Sequence, residues 1–201
     1  MVHNNEARCT AFVGTTRIAA GGVATVALKA KEAIDRGDQA PVLIFDDETS
    51  ELIELDLRGT ADDVLGRLEA TGAGRVAEET TCPESAAARG PGRPRLGVVA
   101  REVTLLPRHW DWLSGQPGGA SVALRKLVEA ARRENEGQDR FRRAQESAYR
   151  FMSTMAGNLP GFEEATRAFF AGDRQRFHER IESWPVDVKD HATRLAAVVF
   201  S

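Results

Sequence analysis

Apolar and polar positions alternate between strand-like and helical runs in the first third of the chain and follow helical steps of three and four after Gly137. The run "CTAFVGTTRIAAGG" reads as two short strands around Gly14-Thr15-Thr16, and "ATVALKAKEAIDRG" as a helix stopped by Gly37. A second round follows. "APVLIFDDETSELIELDL" holds two strands around a turn from Asp46 to Ser50, the second alternating Leu52, Glu54 and Asp56 against Ile53, Leu55 and Leu57. "TADDVLGRLEA" is then a helix capped by Thr60. The predicted order is ββαββα, so residues 1–74 are expected to form an α+β domain.

The periodicity stops in "GAGRVAEETTCPESAAARGPGRPR", where small, polar, Gly and Pro residues mark a connector. The linker is set at 75–95, with a basic, proline-stiffened end. Patterning resumes in "VAREVTLL", a short β-branched strand over 98–105. Pro107 has no N–H for a ladder but suits a first helical turn, so a brief helix is expected from there, with Trp110 and Leu113 on one face. "GQPGG" ends it, and Ser121 is the expected cap of the next helix, which sets Leu124, Leu127, Val128 and Ala131 on one side and Arg125, Lys126, Arg132 and Arg133 largely off it.

Residues 138–201 are expected to form a helical module. Phe141, Ala144, Ala148, Met152 and Met155 recur at helical steps until "GNLPG". Two more helices follow, one capped by Asp173 with Phe177, Ile181 and Trp184 on one face, and one after Pro185.

Composition adds limits. With 201 residues and 42% hydrophobic content the chain can bury a core. It has no run of membrane-spanning length and no secretory-type leader, so a cytoplasmic protein is expected. Cys9 and Cys82 have neither a disulfide framework nor a zinc spacing around them, and His109, His178 and His191 are scattered, so no metal or cofactor is expected. The acidic "FDDETSE" is read as a polar hairpin turn. No phosphate loop, nucleophile elbow or assembled triad is present, which points away from an enzyme.

The net charge of -3 conceals an asymmetry. Residues 1–88 carry 8 Lys+Arg against 16 Asp+Glu, whereas residues 89–150 carry 13 against 7. A polyanion would be drawn to the middle of the chain.

There the residues Leu106-Pro107, Trp110, Leu113, Gly119-Ala120-Ser121, Leu124 and Leu127 resemble the ribbon-helix-helix family of bacterial transcription factors. In that family two chains pair their strands into an antiparallel ribbon that enters the major groove, and amides at the start of the second helix hold phosphate. The resemblance implies a homodimer on duplex DNA, with Gly119, Ala120 and Ser121 at phosphate. Here the first helix is about a turn shorter than the family's. The strand alternation favours Val103 and Leu105 inward and Thr104 outward, with a bulge before Pro107. "GPGRPRLG" is similar to an AT-hook lacking one arginine, so Arg93 and Arg95 are expected to add minor-groove or phosphate contacts. Arg101 and Thr104 complete the expected groove contacts, and Arg125 and Lys126 supplement phosphate binding.

Over its whole length the sequence also resembles a bacterial family known as domain of unknown function 2239, through "TAFVGTTRIA", "PVLIFDDETSELIELDLRGT" and "AYRFMSTMAGNLPGFEEATRAFFAGD". That resemblance implies no activity. The expectation is therefore a non-enzymatic DNA-binding transcriptional regulator, with the C-terminal helices supporting the dimer or a protein partner. The alternatives are an intracellular protein-interaction module without nucleic acid and, third, a small-molecule-responsive regulator or enzyme.

Overall fold

A computed structural model of the chain describes residues 8–71 and 101–200. The expected linker at 75–95 lies outside them. The elements are β1 (Arg8–Val13), β2 (Thr16–Gly22), α1 (Val23–Asp35), β3 (Val42–Asp46), α2 (Ala61–Thr71), α3 (Pro107–Ser114), α4 (Gly119–Ala156), α5 (Phe162–Phe170), α6 (Arg174–Ile181) and α7 (Val186–Ala196). The chain divides into two compact units, Met1–Val76 with Gly137–Ser201, and Ala77–Glu136, and α4 runs from the second into the first.

In the larger unit the sheet is antiparallel in the order β2-β1-β3. The β1–β2 register shifts between Ala11 and Phe12, a bulge that aligns Ala11 with Ala19 and Phe12 with Arg17. Alternation along the strands sends side chains to two cores. Cys9, Ala11 and Ile44 pack with Val23, Val26 and Ala30 of α1. Phe12 and Phe45 pack with Ala148, Phe151 and Met152 of α4 and with Phe169, Phe177, Ile181 and Val188 of the helices that follow. Both faces of the sheet are therefore covered, which is why β1 is apolar at consecutive positions. The sheet and the C-terminal helices share one unit, where the sequence pattern had placed an α+β domain and a separate helical module. The apolar second face of β1 and β3 requires that layer, because Phe12 and Phe45 would otherwise face water.

The predicted fourth strand does not form. Ile53 N donates to Ile44 O (2.8 Å) and one bridge joins Phe45 to Leu52, after which the chain leaves the sheet. The alternation has a different use: Ile53, Leu55 and Leu57 pack against the core that β1, β3 and α1 form while Leu52, Glu54 and Asp56 stay exposed. α2 starts as expected, with Thr60 and Asp63 exchanging hydrogen bonds in a capping box (Thr60 N to Asp63 Oδ2, 2.8 Å; Asp63 N to Thr60 Oγ1, 3.2 Å). Asp173 caps α6 by accepting from Arg176 N (3.0 Å), and Phe177, Ile181 and Trp184 are buried together. α5, not foreseen, is set off by Gly161 at φ 79°.

Candidate nucleic-acid interface

The smaller unit holds the expected DNA-contacting residues that are described. Arg93 and Arg95 lie outside the described residues. Arg101 and Thr104 are exposed on the stretch 101–106, which has no assigned secondary structure. The strand expected over 98–105 is thus absent from its described part. A strand needs a neighbour for its N–H and C=O groups, and among the described residues none pairs with 101–106. The expected phase also needs correction within one chain: Val103, placed inward, is 55% exposed, and Leu105 is half-buried.

Pro107 opens α3 as expected, after Leu106 in extended conformation (φ -67°, ψ 150°). Leu113 is buried, but Trp110 and Trp112 are 39% and 54% exposed. Gly118 and Gly119 adopt φ of 88° and 75°, left-handed conformations that a side chain would resist. They start α4 two residues before the position expected for its cap, so Ser121 lies inside the first turn. Its carbonyl accepts from Arg125 Nε (3.1 Å). Gly119 N already donates to Gln116 O (2.9 Å), which engages one of the three amides expected at phosphate. Gly119 and Ala120 are half-buried; Ser121, Arg125 and Lys126 are exposed. Downstream, Arg132 pairs with Glu129 at 3.7 Å across exposed side chains.

A second constellation, in the larger unit, surrounds a buried histidine. His191 of α7 is 1% exposed, its ring 5.4 Å from that of Phe12 and 4.4 Å from that of Phe151. Arg194 Nη2 approaches both ring nitrogens at 3.2 Å and lies 3.7 Å from Asp47, whose Oδ1 accepts from Thr10 Oγ1 (2.6 Å). Burial first, and the Arg194 charge second, push the His191 pKa down to about 4. A guanidinium offers only donors, so the nitrogen facing it must be unprotonated. The scattered histidines of the sequence gave no sign of this cluster, because Thr10, Asp47, His191 and Arg194 meet only in the fold. Burial likewise raises the Cys9 thiol to about 11, with Asp47 and Asp46 adding to the effect.

The acidic turn is accounted for by its backbone. Asp46 Oδ1 accepts from Glu48 N (2.9 Å), Thr49 N (2.8 Å) and Thr49 Oγ1 (3.1 Å), as the hairpin reading expected. Among the described residues no group of three or more His, Cys, Asp and Glu side chains could hold a metal ion, and no helix is long and apolar enough to cross a membrane.

No curated protein and no solved structure matches the chain. One family does, described as uncharacterized protein conserved in bacteria (DUF2239), and its profile matches residues 8–196. With the capped hairpin turn, the two-sided sheet and the helices behind it all inside the matched span, the chain belongs to this bacterial family.

Proposed function

We propose that this protein is a non-enzymatic DNA-binding regulator that works as a homodimer, its two chains pairing through the segment around 98–105. One observation carries the reading: the exposed stretch 101–106 has no ladder partner among the described residues and leads directly into a Pro-started helix and a second helix. With a partner strand from a second chain, that order resembles the unit whose β-ribbon enters a major groove. In this reading Arg101 and Thr104 face the groove, Arg93 and Arg95 reach the flanking duplex, and Arg125 and Lys126 meet phosphate. The engaged Gly119 amide leaves Ala120 and Ser121 as the main-chain donors near the start of α4. The test is fluorescence anisotropy with random and A·T-rich duplexes across a salt series. Binding should weaken steeply with salt, and Arg125→Ala or Lys126→Ala should each lower the slope of log K against log salt by about one. Binding that ignores salt or both substitutions would remove the phosphate role.

A second reading is a protein-interaction module without nucleic acid, favoured by the exposure of Trp110 and Trp112, since aromatic residues anchor protein interfaces. It predicts no retention on heparin or duplex DNA at low salt.

A further inference from the structure

From Glu129 to Arg143 every residue of α4 is exposed except Asp139, which is half-buried. Among the described residues, each hydrogen bond and ion pair of these side chains stays within the helix. Arg132 pairs with Glu129 at 3.7 Å, and Asn135 donates to the Ala131 carbonyl (2.8 Å). Arg142 donates to the Asp139 carboxylate (2.9 Å) and Arg143 to the Asp139 carbonyl (3.2 Å). The next turns are anchored differently: Ser147 meets Ser50 at 2.8 Å, and Ala148, Phe151 and Met152 are buried. Residues 129–143, about 22 Å of helix at 1.5 Å per residue, therefore have no tertiary cover among the described residues.

A helix of that length is marginal in water even when rich in alanine, and most helices draw their stability from packing. This one holds Asn135, Gly137 and Asp139, all poor helix formers, and the border of the two units falls between Glu136 and Gly137. What it has instead is charge order. Glu129–Arg133, Arg132–Glu136, Glu136–Arg140 and Asp139–Arg143 set unlike charges four apart, three of them with the acid first, the favoured direction. Glu129–Arg132, Arg133–Glu136 and Asp139–Arg142 set unlike charges three apart, and only Glu136–Asp139 and Arg140–Arg143 oppose them at these spacings. The balance is attractive, and because the pairs are exposed, salt screens it.

We propose that residues 129–143 are an ionic-strength-sensitive joint in α4. At low salt the charge pairs hold the helix closed; as salt screens them it opens locally around Gly137, while the turns on either side stay folded. A few such pairs and one mid-helix glycine are of similar size in free energy, so the closed and open forms lie close together. The inference depends neither on DNA binding nor on a dimer.

Hydrogen–deuterium exchange of the full chain, read by mass spectrometry in dilute protein at low salt and at about 1 M NaCl, tests it, with amides 147–156 as the internal reference. Amides 133–141 should exchange far faster than the reference, and roughly threefold faster again, relative to it, at high salt. Gly137→Ala, where a Cβ meets nothing within 4 Å, should slow them about fivefold. Asp139→Asn should speed them about twofold; Asn matches Asp in helix propensity, so the change reads the lost charge. Protection at 133–141 equal to the reference, exchange indifferent to salt, or a Gly137→Ala variant that exchanges as the parent does overturns the proposal.

Discussion

Enclosed by Phe12 and Phe151 and faced by Arg194 and, more distantly, Asp47 and Arg17, His191 is held neutral by the fold. Its folded pKa of about 4 lies below the unfolded 6.5, so between those values the unfolded chain binds more protons. The stability this histidine supports is intact above pH 6.5 and is lost as pH falls toward 4, by up to about 3 kcal/mol. Urea unfolding at pH 7 and pH 5 should show that loss, and His191→Gln should flatten it; an unchanged profile would mean that His191 is accessible to protons in the native state. Gly161 is a second sensitive residue. At φ 79° a Cβ there would stand 3.0 Å from the Arg180 carbonyl oxygen, so Gly161→Ala should cost at least about 1–2 kcal/mol, read as a lowered denaturation midpoint with unchanged slope. A variant as stable as the parent would contradict the close approach.

Among the elements, α4 passes through Gly137 without a break, although the sequence reading set a boundary there. A Cβ at Gly137 meets nothing within 4 Å and its φ is outside the left-handed range, so Gly137→Ala should stabilise the protein by about 1 kcal/mol. Destabilisation in the same unfolding assay would mean that the helix is interrupted at 137. Ser50 and Ser147 make a buried hydroxyl pair at 2.8 Å between the hairpin turn and α4, and Ser147→Ala should cost about 1–3 kcal/mol by stranding its partner. These elements show where patterning informs and where it fails. Thr60 and Asp173 identified their helix starts because a cap is decided by a few adjacent residues. The run from Leu52 to Leu57 has strand-like alternation, but period two records only which side is covered. Here it records packing against a core of strand and helix residues, with a single bridge in place of a ladder.

At the scale of the whole chain, the apolar residues at consecutive positions of β1 fit a sheet covered on both sides, which the reading of 1–74 as a separate α+β domain did not include. The identity of the second layer was not legible, since Phe12 and the α7 residues that enclose it are far apart in sequence and meet only after folding. The two helices around the candidate interface were legible for the opposite reason: Pro107 and the paired glycines are local signals. The position of Ser121 was not, because two left-handed glycines move the helix start and nothing in a Gly-Gly pair states where the turn closes. Among the described residues nothing pairs with the stretch at 101–106, and the homodimer proposed above would supply its partner.

The molar mass of the protein by light scattering, alone and with a short duplex at low salt, tests that conclusion most directly. A dimer of the 21.9 kDa chain that keeps two chains when it takes up one duplex is the predicted result. A single chain at every concentration, with no mass gained from DNA, would contradict it.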